Sequence, residues 1–304
     1  MRALRLTLLA LALTAAAAAV RADDPPAGPA AATPAAAAAT APSAQDDDLE
    51  VDPIQPDFTV VNLPTTLRLP KHKLGFRVTH RFARPLGAGD FGDLVSDFFG
   101  FDNGAQIGME LRFGLFGGTQ FGIYRTSDRT IQFFAERELL RQGSSPVGVA
   151  LYATDEGIDN FKDEYSPAFG VVLSRKVGTR AALYAMPAWV GNTNALPRHA
   201  GESDNSFVLG LAGRVRVMES TSLVGEWIPR LSGHEHGADS HLAFGFEHRV
   251  GGHNFQISFS NSLGTTMAQL ARGAGSVQHT HAGAVASEGG RDWFIGFNIS
   301  RKFY

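Results

Sequence analysis

The final twelve residues of the chain, Trp293-Phe-Ile-Gly-Phe-Asn-Ile-Ser-Arg-Lys-Phe-Tyr304, alternate between large apolar side chains and small or polar ones. The apolar positions are Trp293, Ile295, Phe297, Ile299 and Phe303, interrupted by Arg301, and the opposite positions are Gly296, Asn298, Ser300 and Lys302. Because successive side chains of a strand point to opposite faces, this pattern predicts a strand with one apolar and one polar face. Soluble sandwiches and transmembrane barrels share the alternation, so it does not by itself separate them.

The same alternation recurs from residue 73 onward. It predicts twelve strands, at residues 73–84, 104–115, 119–126, 130–141, 146–155, 165–176, 179–191, 205–217, 220–230, 239–250, 253–263 and 291–303. Segments of roughly ten residues separated by turns are typical of a transmembrane β-barrel.

The connections between these predicted strands alternate in length. Those after residues 115, 141, 176, 217 and 250 are tight, those after 84, 155, 191, 230 and 263 are longer, and the one after 126 is a short exception. A barrel inserted in one direction has short turns on one side of the membrane and long loops on the other. The sequence therefore predicts an all-β fold, a transmembrane antiparallel up-and-down β-barrel of about 12 strands, with both termini on the short-turn, periplasmic side.

Residues 58–69 also resemble a strand, and counting them would give an odd number. Three interpretations stay open: the segment pairs in the periplasm, folds into the lumen, or joins a preceding strand, which would give 14 strands. Pro64 favours a position outside the centre of a sheet, because proline cannot donate a backbone hydrogen bond.

The first 57 residues differ in composition from the rest. Arg2 and Arg5 precede the 15-residue apolar run Leu6–Val20, which predicts a cleaved secretory signal peptide at residues 1–22. Residues 23–57 contain eight Asp and Glu, seven Pro and no Lys or Arg. That composition predicts a disordered tether, because the segment has too little apolar surface to offset chain entropy. The expected domains are thus the signal peptide, the tether and a barrel at 58–304. The protein is expected to be exported to the bacterial outer membrane.

The barrel segment is nearly neutral. Residues 58–304 carry 24 Lys and Arg against 22 Asp and Glu, and the whole chain has no Cys. A nucleic-acid partner is not expected, because such binding needs a concentrated basic face. Without cysteine the chain cannot form disulfides, thiol nucleophiles or Cys-based zinc sites.

Three segments are similar to the signature blocks of an uncharacterised family of bacterial outer-membrane β-barrels. They are Leu74-Gly-Phe-Arg-Val-Thr-His-Arg-Phe82, Phe98-Phe-Gly-Phe-Asp-Asn-Gly104 and Glu138-Leu-Leu-Arg-Gln142. The resemblance covers roughly residues 58–304 and implies an outer-membrane barrel without assigned catalytic residues. The aromatic C-terminal strand resembles the signal read by the barrel-assembly machinery, so that machinery and outer-membrane lipid are the expected partners.

Charged residues of the predicted strands fall on the inward face. They are Arg77, Arg81, Glu110, Arg112, Glu136, Glu138, Arg214, Arg216, Glu226, Glu247 and Arg249. They are expected to line the lumen, because an arginine facing the lipid midplane costs roughly 2–4 kcal/mol. Such a lumen either selects small ionic solutes for passive or gated passage or is filled by an ion-pair lattice. The near balance of the two signs favours the lattice.

Histidines collect in or beside three of the long loops: His199, then His234, His236 and His241, then His279 and His281. The two His-x-His motifs place both rings on one side of an extended chain, a spacing that suits zinc or copper. The alternative function is therefore a non-conducting barrel that binds transition metal through His234, His236, His241, His279 and His281. Otherwise no cofactor is expected, and these are ordinary loop histidines.

A barrel hydrolase is the third hypothesis, and it is disfavoured. Ser258, Ser260 and Ser262 lie on one strand, but no nucleophile motif surrounds them. Strand alternation puts His80 and His248 on the lipid-facing side, away from those serines. The sequence therefore predicts that the protein is not an enzyme.

Two long loops carry further expectations. The loop at 86–103 contains five large apolar residues. It either constricts the lumen or caps the barrel mouth and buries its phenylalanines, and the cap is the favoured interpretation. The loop at 264–290, rich in Gly, Ala and Ser, is expected to be mobile.

Overall fold

The computed structural model describes residues 52–100, 104–193, 204–233, 239–274, 277–280, 283–286 and 292–303. The predicted signal peptide and most of the predicted tether lie outside these ranges. No helix in the described ranges is long and apolar enough to span a membrane.

The described residues form fifteen strands and three short helices. The strands are β1 Leu74–Phe82, β2 Ala105–Phe116, β3 Thr119–Thr126, β4 Ile131–Leu140, β5 Gly148–Gly157, β6 Asp163–Val177, β7 Ala181–Val190, β8 Ser206–Met218, β9 Thr221–Ile228, β10 Arg230–Ser232, β11 His241–Val250, β12 His253–Ser260, β13 Val277–Thr280, β14 Gly283–Ala286 and β15 Phe294–Phe303. The helices are α1 Phe91–Ser96, α2 Ile158–Phe161 and α3 Met267–Arg272, and Phe98–Gly100 forms a 3₁₀ turn.

Twelve of these strands close into an antiparallel barrel. β1 to β9 pair in sequence, β9 continues through β11 and β12 to β15, and β15 pairs with β1. The predicted 12-strand barrel is confirmed, and each predicted strand end lies within three residues of the observed one. The main difference follows β9: Pro229 ends that strand, and Arg230–Ser232 then forms β10, which extends the sheet beside β8.

The outer surface of the barrel is apolar. Outward side chains on neighbouring strands, such as Phe113, Phe169, Leu183, Phe246 and Ile257, are each about half exposed. The three tryptophans, Trp189, Trp227 and Trp293, lie at the long-loop end of their strands. Amphipathic aromatic rings are typical of the interface between hydrocarbon and headgroups.

The inner surface has two halves. On β5 to β8 the inward side chains include Ala150, Val172, Met186, Ala188 and Val208, and all of them are buried in one apolar cluster. On the remaining strands the inward side chains are mostly polar or charged. The lumen therefore offers an apolar wall and a hydrophilic wall to whatever fills it.

The loop after β1 does not bury its aromatic residues. Phe91 is 74% exposed, Phe98 62% and Phe99 40%. The expectation that this loop caps the mouth over buried phenylalanines is therefore wrong. Local forces explain its shape, because Asp90 caps α1 in a capping box with Asp93 and Arg84 anchors Asp97 at 2.6 Å.

Inward glycines make room for large side chains in the narrow lumen. A Cβ atom at Gly122 would lie 2.1 Å from the Phe134 ring and 2.6 Å from the Leu111 carbonyl oxygen. Gly213 faces outward on β8, and there the nearest atom, on Leu183, would be 3.7 Å away, an ordinary contact. Gly122 is therefore required for packing, whereas Gly213 is not.

We expect Gly122→Val to destabilise the folded barrel by roughly 1–3 kcal/mol, because neither the ring nor the backbone oxygen can move away easily. The measurement is the urea unfolding midpoint of the refolded chain in detergent micelles. The matched control, Gly213→Ala, is expected to leave the midpoint almost unchanged. Equal midpoints for the two variants would contradict the packing argument.

Candidate functional site: the plugged lumen

Residues 52–69, here called the plug, fold into the barrel lumen. Thr59 and Pro64 form an antiparallel bridge, and the Val60 N–H donates to the Leu63 carbonyl at 2.9 Å, so the plug is a hairpin with its apex at 60–63. Phe58, Val60, Val61 and Leu63 are buried. Of the three interpretations for 58–69, insertion into the lumen is the one observed.

The plug enters and leaves through the mouth formed by the short turns. Asp52 pairs with Lys176 at 2.7 Å, and Arg68 pairs with Glu138 at 3.5 Å. Lys176 and Glu138 both lie near the short-turn end of their strands. The hairpin therefore reaches inward from that mouth and returns to it before β1.

Glu226 on β9 holds the plug apex. Its Oε2 accepts the backbone N–H groups of Val61, Asn62 and Leu63 at 3.1, 2.8 and 3.0 Å. Its Oε1 accepts from the Asn62 side-chain amide at 2.8 Å and contacts His241 Nε2 at 3.1 Å. A carboxylate enclosed by this many donors is charged, and hydrogen bonds to a charged group are stronger than those between neutral groups.

Other wall residues donate to oxygen atoms of the plug. The contacts are Arg214 Nη2 to Thr59 O at 3.0 Å, Arg77 Nη1 to Thr59 Oγ1 at 3.1 Å, Gln256 Nε2 to Val60 O at 2.6 Å, Asn298 Nδ2 to Val61 O at 2.9 Å, and Arg81 Nη2 to Asn62 Oδ1 at 3.1 Å. At these positions the wall supplies the donors and the plug supplies the acceptors.

Most wall charges are paired with each other rather than with the plug. Arg77 binds Glu110 at 2.6 Å, and Arg112 bridges Glu110 at 3.0 Å and Glu136 at 3.6 Å. Arg214 and Glu247 approach to 2.5 Å. These pairs form the ion-pair lattice that the balance of charges favoured.

Of the eleven predicted lumen residues, eight are buried inside the barrel: Arg77, Arg81, Glu110, Arg112, Glu136, Arg214, Glu226 and Glu247. The other three, Glu138, Arg216 and Arg249, are partly exposed near the short-turn mouth.

Arg81 differs from the other buried arginines. It is fully buried and donates to the side-chain oxygen atoms of Asn298 and Asn62 and to the carbonyl groups of His80 and Phe297. It forms no ion pair with a described carboxylate, and its Nε has no described hydrogen-bond partner. Arg81 therefore relies on the neutral Asn62 for its contact with the plug.

Helix α3 fills the lumen from the long-loop side. All six of its residues are buried, and Met267, Ala268, Leu270 and Ala271 join the apolar cluster of the wall. The expectation that this part of the 264–290 loop is mobile is therefore wrong. A capping box from Thr266 and Gln269 begins the helix, and α3 packs on the apolar half of the barrel.

Polar wall residues fix the start of α3. The Met267 N–H donates to Gln132 Oε1 at 2.9 Å, and the Ala268 N–H donates to Glu156 Oε2 at 3.2 Å. The plug and α3 then nearly meet, since the cavity between Thr59 and Leu270 is only about 10 Å³. That volume holds about one water molecule.

The predicted metal ligands lie in different parts of the chain, and only some of them are described. His234, His236, His199 and His281 lie outside the described residues, and His279 falls in β13, where no side chain is described. His241 is fully buried at the start of β11, in contact with Glu226. The described residues contain no group of three or more metal-binding side chains.

His241 also contacts Ser262 Oγ through Nδ1, at 3.0 Å. Because the Glu226 carboxylate only accepts, Nε2 donates to it, and Nδ1 shares a hydrogen bond with the Ser262 hydroxyl. The order Ser-His-Glu is that of a hydrolytic triad. Here, however, all three side chains are buried and they connect the plug apex to the wall.

Sequence reasoning missed several residues of the site. Asp57 had been placed in the tether, and Glu156 lay one residue beyond its predicted strand. Lys302 lies on the predicted polar face of the last strand, but only the structure shows that Lys302 and Gln256 bind the plug. The available signal was the alternation along each strand. It shows which side chains face the lumen, but it does not show which residues they contact there.

The chain is a membrane β-barrel, because twelve strands close around a polar lumen and turn an apolar surface outward. It belongs to the family of membrane-bound beta barrel domains (DUF5777), whose model matches residues 57–303. The predicted family resemblance is thereby confirmed. No curated protein matches the chain in sequence.

Among solved structures, the KdgM porin is similar with a TM-score of 0.45 at 5% identity, covering 76% of this chain and 99% of that chain. An outer membrane channel from Pseudomonas putida F1 has a TM-score of 0.41 at 12% identity, covering 78% and 97%. A triple mutant of the Rhodopseudomonas blastica porin has a TM-score of 0.32 at 11% identity, covering 65% and 55%.

We expect Glu226→Gln to loosen the plug apex, because the neutral amide accepts the three backbone N–H groups more weakly. Amide hydrogen exchange at Val61 to Leu63 should accelerate by roughly tenfold or more, the loss expected for hydrogen bonds to a charged group. Mass spectrometry of the peptide that covers the apex measures the rate. Glu219→Gln, an exposed residue in the β8–β9 turn, is the control and should leave exchange unchanged.

Proposed function

We propose that the protein is a gated channel of the bacterial outer membrane that passes small solutes and is closed in this structure by the plug. The single observation that carries the proposal is that a hairpin outside the barrel strands fills the lumen and binds its charged wall through many side-chain hydrogen bonds, in addition to the apolar contacts of Val60, Val61 and Leu63. Water can replace such hydrogen bonds when the hairpin leaves.

The wall keeps its own ion pairs when the plug leaves. The pairs of Arg77 with Glu110, Arg112 with Glu136 and Arg214 with Glu247 join barrel strands to each other. Withdrawal of the plug therefore breaks hydrogen bonds that water can replace, each with a net free energy of about 0.5–1.5 kcal/mol. Glu226 and Arg81 are the exceptions, because they lose their contacts with the plug, and the water that enters the lumen has to replace those contacts.

The direction of withdrawal follows from the two attachments of the plug. Both of its ends lie at the short-turn mouth, and β1 begins directly after Pro70 to Lys73. Movement toward that mouth lets the hairpin leave as a loop without breaking the barrel. The N-terminal residues before the plug would then be the point at which the gate is moved.

We expect Glu226→Gln to increase channel opening, because it weakens the strongest contact of the plug apex. The measurement is the single-channel current of the refolded mature chain in a planar bilayer. Open probability should rise about tenfold, the population shift for roughly 1.4 kcal/mol. Glu219→Gln should behave as the unmodified chain. Absence of current from every correctly folded variant would exclude a channel.

A second proposal is that the long-loop histidines bind transition metal, which rests on the two His-x-His motifs in the sequence. Micromolar zinc or copper should then bind the folded chain, and the double changes His234→Ala with His236→Ala and His279→Ala with His281→Ala should abolish binding. His253→Ala, at the opposite mouth, is the control. Binding should weaken below about pH 6.5, because the ligands are neutral imidazoles. Unchanged affinity in both double variants would refute this site.

A further inference from the structure

The plug places a carboxylate of its own in a pocket of the barrel wall. Asp57 Oδ2 accepts from Ser300 Oγ at 2.5 Å and from Asn254 Nδ2 at 3.2 Å. Beside it, Lys302 Nζ donates to the Pro56 carbonyl oxygen and lies 5.4 Å from the centre of the Phe58 ring. Ser300, Asn254 and Lys302 are each at least nine-tenths buried.

The three donors belong to β12 and β15, so they remain in the wall when the plug moves. A hydroxyl group and an amide group that bind one carboxylate oxygen, with an ammonium group beside them, form a typical carboxylate site. Without Asp57 and Pro56, Ser300 and Lys302 would lose the oxygen atoms that they now bind, and Asn254 would keep only its 3.4 Å contact with Glu247.

Deeper in the lumen the wall continues to present donors. Gln256, Asn298 and Arg81 each donate to an oxygen atom of the plug. Arg81 adds a positive charge without a described carboxylate partner, and its Nε points at no described acceptor. Toward β1, β12 and β15 the plug thus presents oxygen atoms and one carboxylate, whereas on the side of β9 its apex N–H groups bind Glu226.

The Asp57 pocket lies near the short-turn mouth. A cavity of about 10 Å³ there is lined by Pro53, Pro56 and Asn254, together with residues of the β8–β9 turn. A small solute entering from that mouth would meet Asn254 before the deeper donors.

We propose that Ser300, Asn254 and Lys302 form a carboxylate-binding site, occupied in the closed state by Asp57, and that the solute is a small organic anion. The anion replaces Asp57 in the pocket, and the donors that lead to Arg81 bind its remaining oxygen atoms in turn. The inference about the solute depends on the proposed channel function, whereas the binding site does not.

The test is calorimetric titration of the full mature chain carrying Asp57→Ala, refolded in detergent micelles. The probe is glutarate, and glutaramide serves as its neutral counterpart. Glutarate should bind and glutaramide should not, because the site recognises charge as well as shape. Adding Lys302→Gln should weaken glutarate binding by about tenfold or more, the loss expected for a charge-assisted contact.

Arg216→Gln on the same background is the matched control, since Arg216 is an inward cation near this mouth without a described contact to the plug. It should leave glutarate affinity unchanged. If Asp57→Ala does not fold, Asp57→Asn, which keeps the shape of the plug, enters the same titration. Equal binding of glutarate and glutaramide, or no glutarate binding, would overturn the site.

Bilayer current separates this inference from the channel proposal. Glutarate binding without current from any folded variant would reject the channel and keep the anion site. Current without glutarate binding would keep the channel and reject the anion site. In a conducting variant, a salt gradient should give a reversal potential that favours anions, and a preference for cations would contradict an anionic solute.

Discussion

The period of two along each strand is the constraint on which this structure depends. In a membrane the charged side chains near the middle of a barrel strand have to turn inward, so a narrow barrel collects them in a lumen with little room for water. Arg77, Arg112 and Arg214 meet this constraint by pairing with wall glutamates. Glu226 and Arg81 meet it differently, because they find neutral partners on the plug.

The plug and the wall are chemically complementary because the wall collects polar and charged side chains. A hairpin apex has backbone N–H and carbonyl groups without partners, and a charged wall has donors and acceptors to spare. Glu226 takes three consecutive N–H groups, while Gln256 and Asn298 supply donors to the carbonyl groups beside them. The segment therefore needs neither a sheet partner nor solvent, although it lies inside the barrel.

The period and the loop lengths were enough to predict the barrel, because both are local properties of the chain. The alternation of apolar and polar residues along the chain, together with the tight turns, predicted twelve strands whose ends lie within three residues of the observed ends. The same period assigned Arg81 and Glu226 to the lumen. It failed for residues 58–69, because an isolated hairpin and a barrel strand have the same local pattern and differ only in distant partners.

Two other predictions were wrong for the same reason, because the residues concerned are held by distant parts of the chain. The composition of 264–290 indicated a mobile loop, yet Met267 and Leu270 are held by an apolar wall formed by strands up to 120 residues earlier. His241 looked like a loop ligand because its position follows a predicted loop. Its partners, Glu226 and Ser262, come from other strands, and no spacing along the chain relates the three.

The two occupants of the lumen differ in how they are attached, and on the proposed function that difference decides which one moves. α3 buries Met267, Leu270 and two alanines against an apolar wall, and moving it would expose apolar surface to water, at about 25 cal/mol per Å². The plug also buries apolar side chains, Phe58, Val60, Val61 and Leu63, but both of its ends lie at the short-turn mouth, so it can withdraw as a loop. On the proposed function, α3 stays as a fixed lining of one half of the lumen. The path that opens beside it is then bounded by the donor-rich wall of β1, β12 and β15.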